Sequence, residues 1–305
     1  MFCISLKTFI LNLKVTYRVL GLITPFDPWR GKLCTCPDKY SFSPYTGCAH
    51  RCIYCYITSY IPRAFQPRAK TFTALQLEKE LKKLDKNKPI SIANSSDPYT
   101  PSESQNFLMR EVLPVLIRNG FRLLIVTKSD LVARDIDILS KGRVCVSITI
   151  TTLDEKTAKR LEPNAPSPSK RLRALEALSR AGIPTMVRLD PLIPSINDDS
   201  NSIRRVLKAA YEAGVKQVTT STYKARPDSL SRIVGAFPEL GGEIKTLYSN
   251  GEPIGRSRYL ERELRRELIS RVREVAQDLS IDFATCREGF PELHTAKTCD
   301  GSHML

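Results

Sequence analysis

Long hydrophobic segments are missing from this 305-residue sequence. No stretch approaches the roughly 18 consecutive apolar residues that a membrane-spanning helix requires, which argues against an integral membrane protein. The apolar N-terminus, "MFCISLKTFILNLKV", lacks a small-residue cleavage site and therefore does not predict a signal peptide. Five polar residues also interrupt it: Ser5, Lys7, Thr8, Asn12 and Lys14. We expect a cytoplasmic protein with no membrane partner.

Acidic residues are scarce relative to basic ones. The chain has 32 Asp and Glu against 47 Lys and Arg, which gives a net charge of +15. Such a charge favours a polyanionic partner, with nucleic acid ahead of an anionic membrane surface. A generally basic protein without such a partner is the alternative. Low-complexity runs are absent, and the hydrophobic content of 42% allows one barrel-sized domain or two smaller ones.

Cysteine is present in an odd number, nine, in a chain without an export signal, so thiolate ligands or core residues are favoured over disulfides. Cys48, Cys52 and Cys55 form a C-x3-C-x2-C pattern within "GCAHRCIYCY". A disulfide between two of these cysteines would leave the third thiol unpaired. A zinc site would need His50 as well, although structural zinc usually takes two separated ligand pairs. Three thiolates on a four-iron cluster would leave one iron open for chemistry, and this interpretation fits best.

Strands and helices alternate from about residue 43. A short strand precedes the cysteine loop, and five more are predicted: "PISIAN", "FRLLIVTKS", "RVCVSITI", "PTMVRLDPLI" and "VKQVTTST". The intervening helices are expected to end at glycines: Gly120, Gly142, Gly182 and Gly214. Apolar strands between amphipathic helices imply a covered parallel sheet. The expected fold is α/β, a partial (β/α)6 TIM-type barrel that carries its chemistry at the carboxyl ends of the strands.

Three regions are expected: an extension over 1–40, the partial barrel over 41–240, and a C-terminal segment over 241–305. The last region contains the helical pattern "RYLERELRRELISRVREVAQDL". Its arginines are Arg258, Arg262, Arg265, Arg266, Arg271 and Arg273. They indicate either an ordinary solvated face or a face that contacts phosphates.

The cysteine spacing after a first strand, with Tyr54 before the last cysteine, resembles the radical S-adenosylmethionine (radical SAM) enzymes. "NSSDPYTP", "LLIVTKS" and "DPLIPSIND" are similar to the group related to spore photoproduct lyase and its archaeal and bacterial relatives. The resemblance implies a [4Fe–4S] cluster and S-adenosylmethionine, with Tyr54 on the cofactor side. It also implies cleavage of S-adenosylmethionine to methionine and a 5′-deoxyadenosyl radical, which removes a hydrogen atom from a substrate. An external one-electron reductant such as a ferredoxin would supply the electron.

The same resemblance assigns roles to single residues. Ser96, Lys128 and Ser147 match positions that contact S-adenosylmethionine, and a lysine ammonium suits its carboxylate. Tyr56 matches a tyrosine on the adenosine side that relays hydrogen. The ordinary alternatives are a surface lysine, strand-end serines and a core tyrosine. Asn94 stands where the lyase has its hydrogen-donating cysteine, so repair of a thymine photoproduct is not implied.

Four other cysteines flank the predicted barrel as two pairs: Cys34 and Cys36, and Cys286 and Cys299. They could meet beside the open edge of the barrel and bind zinc or a second, fully ligated iron–sulfur cluster, with His294 and His303 as spare ligands. Buried or loop thiols without metal are the alternative. Cys145, between two valines of a strand, is expected to be a buried apolar residue.

The sequence favours a nucleic-acid substrate, tRNA or DNA, because of the positive charge and the kinship with a DNA-repair lyase. A target base would have to be extruded or single-stranded to reach the barrel mouth. Two rivals stay open. One is a radical SAM enzyme that acts on a peptide, a protein or a small metabolite, and the other is a non-catalytic metal-binding module that binds nucleic acid.

Overall fold

The computed structural model describes residues 21–26, 31, 33–92 and 94–305, so most of the apolar N-terminal segment, with Cys3, lies outside the described residues. Within these ranges, no helix is long and apolar enough to cross a membrane. The strands are β1 (Ile23–Pro25), β2 (Tyr40–Phe42), β3 (Tyr45–Thr46), β4 (Arg68–Ala69), β5 (Ile90–Ile92), β6 (Leu123–Thr127), β7 (Val144–Thr149), β8 (Thr185–Leu192), β9 (Gln217–Thr222), β10 (Glu252–Ile254), β11 (Ser257–Tyr259) and β12 (Asp282–Thr285).

The α-helices are α1 (Ala74–Leu81), α2 (Glu103–Asn106), α3 (Leu108–Arg118), α4 (Ile136–Leu139), α5 (Glu155–Leu161), α6 (Pro168–Arg180), α7 (Ser200–Glu212), α8 (Pro227–Ala236), α9 (Gly241–Ser249) and α10 (Arg262–Asp278). Short 3-10 turns cover Tyr56–Ser59, Asp130–Asp135, Pro238–Leu240, Pro291–Leu293 and Ser302–Met304. Local signals set several helix ends. The Thr73 hydroxyl caps α1 by accepting from the Gln76 amide at 3.1 Å. Gly182, with a φ of 75°, follows the end of α6 in the left-handed conformation that glycine adopts without strain.

A mostly parallel eight-stranded sheet forms the centre of the molecule, in the order β1-β2-β5-β6-β7-β8-β9-β12. All neighbours from β2 to β12 run parallel, and β1 runs antiparallel to β2. Because β1 and β12 end the order without pairing to each other, the described strands form an open barrel. The predicted α/β partial barrel with six parallel strands is confirmed. The structure adds β12 as a seventh parallel strand, while the division at residues 40 and 240 stays a prediction.

The two faces of the sheet bury different residues, as the alternation of side chains along a strand requires. On β7, Val146 and Ile148 belong to the main hydrophobic core, which the surrounding helices complete. Cys145, 1% exposed, forms a second cluster with Leu124 and Met186. The prediction of a buried apolar cysteine at this position is confirmed.

Residues 298–305 fold back against the second cluster. Met304 and Leu305 pack on it, and the Arg143 guanidinium donates to the Leu305 carbonyl at 2.9 Å. The Thr219 hydroxyl of β9 donates to the Cys299 carbonyl at 2.7 Å. The interior of the open barrel is therefore partly filled by a segment distant in sequence.

Two predicted helices are interrupted. The helix expected from residue 104 to 120 breaks at Phe107, which has a φ of 51°, because the buried Glu103 carboxylate turns back and accepts from the Met109 amide at 3.0 Å. The helix expected from residue 130 begins as a 3-10 turn. There the buried carboxylate of Asp135 accepts from Arg110 at 3.0 Å and Arg134 at 2.6 Å, while its backbone leaves the α conformation.

Arginines of α10 form ion pairs within the molecule, and one of them, Arg265, is buried. Arg265 is 2% exposed and bonds to Glu288 at 3.3 Å and Glu252 at 3.1 Å. Arg271 pairs with Glu267 at 2.6 Å. The hypothesis of a phosphate-contacting face on this helix is therefore wrong for Arg265, since its charge is already neutralised in the interior.

Candidate active site

A pocket of about 310 Å³ opens at the carboxyl ends of the parallel strands, where the fold class was expected to place its chemistry. Residues at the ends of three of these strands line it: Thr127 of β6, Thr149 of β7 and Thr222 of β9. Among the residues singled out from the sequence, those on its wall are Cys48, His50, Cys52, Cys55, Asn94, Ser96, Lys128, Tyr54, Tyr56, Cys36, Cys286 and Cys299. Ser147 and Cys34 are not among its lining residues. Residues from both ends of the described chain thus meet in one cavity.

The cysteine loop follows β3 and turns sharply at its start and again between its first two cysteines. Gly47 has a φ of 80°, and a Cβ there would lie 2.7 Å from the Ala64 carbonyl oxygen, so only glycine fits. Arg51, between the first two cysteines, also has a positive φ of 58°. Such strained backbone is typical of functional sites that the surrounding structure holds in place.

Long-range hydrogen bonds fix this loop. The Arg232 guanidinium of α8 donates to the carbonyls of Ile53 and Cys55, both at 2.9 Å. The Ile53 amide donates to the Leu161 carbonyl at 2.9 Å, and the Cys48 amide donates to Ala64. With its backbone bonded to three other parts of the fold, the loop can present three thiols to the pocket.

His50 is used structurally. Its Nε2 lies 3.3 Å from Asp97 Oδ2, and its Nδ1 lies 3.4 Å from the Asn164 carbonyl oxygen. Asp97 also accepts from the Thr127 hydroxyl at 2.6 Å and the Lys128 amide at 2.8 Å. Burial opposes ionisation of Asp97, but His50 and these hydrogen bonds outweigh it and lower its pKa to about 2. Because its Nε2 faces the Asp97 carboxylate and its Nδ1 faces the Asn164 carbonyl, His50 is poorly placed to serve as a fourth zinc ligand.

Two predicted serines carry buried hydroxyls that lack a hydrogen-bond partner among the described residues. Ser96 forms a parallel bridge with Gly47 and lines the pocket, and its Oγ is one of these atoms. Ser147 lies on the inner side of β7, on the same face as Cys145, and its Oγ is the other. Buried hydroxyls are rarely left without partners, so an orphaned Oγ on the pocket wall fits a site that receives a polar ligand.

Lys128 is surrounded by negative and aromatic groups. Its ammonium lies 5.4 Å from the centre of the Tyr54 ring. Burial works to lower the pKa of Lys128, but the Glu162 carboxylate and Cys52 in its thiolate form outweigh it and raise the pKa. The Tyr54 hydroxyl donates to Glu162, which in turn pairs with Arg171 at 2.5 Å. The lysine therefore keeps its positive charge beside the cysteine loop.

Tyr56 and Asn94 form one side of the entrance. The Tyr56 hydroxyl donates to the Asn94 carbonyl at 2.6 Å, and the Tyr56 ring, 38% exposed, stacks on Tyr60 with centroids 6.1 Å apart. The Asn94 side chain donates to Ser41 at 2.7 Å and accepts from Ser91 at 3.0 Å. Asn94 thus ties β2 to β5, and this position carries no thiol.

Three of the four flanking cysteines, Cys36, Cys286 and Cys299, lie on the pocket wall. Cys36 Sγ and Cys299 Sγ are 3.4 Å apart, the Cys34 thiol lies beside Cys36, and Cys286 lies near Cys34 and Cys299. The spare ligands have other partners. His294 Nε2 accepts from the Thr285 amide at 3.0 Å, and His303 Nδ1 lies 2.9 Å from the Thr298 hydroxyl.

Sequence reasoning missed a charged pair on the pocket wall. Arg188 and Asp190 of β8 bond at 2.6 Å, and Asp190 also accepts from the Ser221 hydroxyl at 2.6 Å. The sequence feature that could have identified them is a pair of charged residues two positions apart in the apolar strand "PTMVRLDPLI", a spacing that places both side chains on one face of the strand. Arg287 was also missed; it lines the pocket, has a φ of 59°, and makes no ion pair with a described residue.

Comparisons with known proteins agree with this architecture. The family model described as Radical SAM superfamily matches residues 42–207. An uncharacterized protein of Mycobacterium tuberculosis is 26% identical over 235 residues, which cover 70% of this chain and 68% of that protein.

Solved structures give the same fold. A spore photoproduct lyase mutant with bound AdoMet and dinucleoside spore photoproduct has a TM-score of 0.62 and 17% identity, covering 81% of this chain and 75% of the other. SuiB of Streptococcus suis, bound to precursor peptide SuiA, has a TM-score of 0.56 and 16% identity. The match covers 83% of this chain and 50% of SuiB. At these identities the likeness establishes the fold alone.

Proposed function

The chain belongs to the radical SAM superfamily, whose model matches more than half of it, and we propose that Cys48, Cys52 and Cys55 hold a [4Fe–4S] cluster. The protein is a radical SAM enzyme. The observation that carries the cluster assignment is the set of three cysteines on one pocket wall, beside a histidine whose ring faces Asp97 and the Asn164 carbonyl. A fourth protein ligand is therefore lacking in this loop, as an open iron requires.

A bound cluster would supply the electron that cleaves a C–S bond of S-adenosylmethionine and yields a 5′-deoxyadenosyl radical. The residues of this chain bind, orient and shield. Lys128, kept positive by its acidic surroundings, is suited to the methionine carboxylate, and the orphaned Ser96 hydroxyl to a polar group of the same molecule. Val126 and Ile57 on the wall help to exclude water. An external one-electron donor such as a ferredoxin would reduce the cluster.

Lys128→Met should weaken the binding of S-adenosylmethionine to the reconstituted protein by roughly 10- to 100-fold, because a hydrogen bond to a charged group contributes about 1.5–3 kcal/mol. The methionine keeps most of the apolar stem. Anaerobic calorimetry measures the affinity, and the iron content should stay at the wild-type level. Lys141→Met, at an exposed position, is the control. An unchanged affinity in Lys128→Met would contradict the role of this lysine.

For the substrate, we propose a nucleotide of DNA or tRNA presented in single-stranded or extruded form. The entrance combines an aromatic platform with positive charge, which is how single strands are bound without sequence readout. Tyr56 stacks on Tyr60, the Arg226 guanidinium lies 5.9 Å from the Tyr60 ring centre, and Arg287 is close by on the pocket wall. The net charge of +15 adds a long-range attraction for a polyanion.

This proposal predicts salt-dependent binding of single-stranded DNA or of tRNA, measured by fluorescence anisotropy from 50 to 200 mM salt. Arg287→Ala should reduce the slope of log K against log salt by about 1 if Arg287 contacts one phosphate. Arg180→Ala, on an exposed face of α6, should leave the slope unchanged. Absence of binding to both nucleic acids at 50 mM salt would reject this substrate class and favour the peptide or metabolite alternative.

A further inference from the structure

Four cysteines from the two ends of the described chain converge across the open side of the barrel. Cys34 and Cys36 lie in the connection between β1 and β2, at one edge of the sheet. Cys286 directly follows β12, at the other edge, and Cys299 lies in the segment that returns to the barrel interior. Because β1 and β12 do not pair with each other, this side of the sheet has no ladder of hydrogen bonds to close it.

We propose that Cys34, Cys36, Cys286 and Cys299 bind a single metal ion in a tetrahedral four-thiolate site, with zinc as the ion. Its ligands differ from those of the Cys48–Cys52–Cys55 loop, although three of them lie on the wall of the same pocket, and the proposal does not depend on what that loop holds. It would join the two edges of the open sheet, which is the role of closed zinc sites that contribute to folding.

The sulfur separation favours one ion. A tetrahedral zinc with Zn–S bonds of about 2.3 Å places its sulfurs about 3.8 Å apart. The contact of 3.4 Å between Cys36 Sγ and Cys299 Sγ is near that value and well beyond the about 2.05 Å of a disulfide. In a four-iron cluster each thiolate binds a different iron, which requires wider spacing.

The backbone that carries these thiols is well fixed. The Cys286 amide donates to the Thr220 carbonyl at 2.8 Å, and the Cys299 carbonyl accepts from the Thr219 hydroxyl at 2.7 Å, so both cysteines are tied to β9. Cys299, 3% exposed, packs with Ala284, Ala296 and Cys36. These small neighbours leave the Cys36 and Cys299 sulfurs in contact with each other.

The surrounding charge suits a dianionic centre. Zinc with four thiolates carries a net charge of −2. Lys39 acts electrostatically on Cys36 and Cys299, and Arg188 hydrogen-bonds with Cys286; each of these cations also pairs with an aspartate. No three ligand side chains in the described ranges already surround a common metal position, so zinc would draw the thiols together by side-chain rotation.

The test removes the other cysteine site and counts metal. A Cys48→Ala/Cys52→Ala/Cys55→Ala variant, purified anaerobically, should contain about one zinc per chain by mass spectrometry, since four thiolates form one closed site. Adding Cys36→Ser and Cys299→Ser should reduce zinc at least tenfold, whereas adding Cys145→Ala should not. Cobalt in place of zinc should give the intense visible bands of a tetrahedral thiolate complex, which disappear in the Cys36→Ser/Cys299→Ser background.

Three results would overturn the proposal. One is a zinc content that is no higher in the Cys48→Ala/Cys52→Ala/Cys55→Ala variant than in the variant that also carries Cys36→Ser and Cys299→Ser. Another is about four irons with matching sulfide in the triple variant, which would mean a cluster in place of a single ion. The last is a Cys36–Cys299 disulfide found by non-reducing peptide mapping of the anaerobic protein. A zinc chelator should lower the unfolding midpoint of the wild type but leave that of the Cys36→Ser/Cys299→Ser variant nearly unchanged. This pair of results would support the proposal.

Discussion

Replacing Cys52 with alanine is expected to abolish the reductive cleavage of S-adenosylmethionine. Cys52 is 6% exposed on the pocket wall, between the other two thiols of the loop. Without its sulfur, only Cys48 and Cys55 remain, too few thiolates to hold a four-iron cluster with one open iron. The measurement is 5′-deoxyadenosine formed after dithionite reduction, which should fall to the level seen without protein.

The control for this loss is a cysteine of equal burial outside the site. Cys145→Ala removes a thiol from the inner cluster with Leu124 and Met186 and should retain both iron and cleavage. Truncating a buried cysteine to alanine removes one sulfur and should lower stability by about 1 kcal/mol in either variant. Cleavage by Cys52→Ala at the wild-type rate would show that this cysteine is not a cluster ligand.

Features of the fold with local causes were accessible from the sequence. Helix α6 was expected to end at Gly182, and its glycine does adopt a left-handed conformation there. The six parallel strands were visible as apolar runs between amphipathic helices, because burial on both faces selects such runs. The cysteine loop was recognisable because its three thiols are neighbours in sequence.

Features that depend on distant partners were not accessible in this way. The four residues of β12 follow the long helix α10 and carry too little pattern to identify a strand, yet they pair with β9. The helix breaks at Phe107 because the Glu103 side chain folds back onto the chain, and its carboxylate also accepts from the Tyr45 hydroxyl at 2.5 Å. Asp97, in the family-like "NSSDPYTP", was passed over although it joins His50 to the backbone of Lys128.

Arg171 is the residue for which we expect the largest loss of stability on substitution. It is 1% exposed and pairs with the fully buried Glu162 at 2.5 Å, while its guanidinium also donates to the Thr149 and Pro166 carbonyls at 3.0 and 2.9 Å. Arg171→Met leaves the buried Glu162 carboxylate without its ion-pair partner, and removing one partner of such a pair lowers the free energy of unfolding by about 3–5 kcal/mol. Urea denaturation followed by circular dichroism measures this loss.

Two further variants separate the ion pair from other effects of changing Arg171. Arg173→Met lies two residues along the same helix on an exposed face and should change stability by no more than about 0.5 kcal/mol. Glu162→Gln combined with Arg171→Met removes the stranded charge and should recover at least about 1 kcal/mol, since a buried ion pair is strongly destabilising chiefly when one partner is missing. If the double variant were less stable than Arg171→Met alone, the cause would be lost packing and lost carbonyl contacts. In that case the position of the Tyr54 hydroxyl, which donates to Glu162, would be set by the packing around it more than by the charge of Glu162.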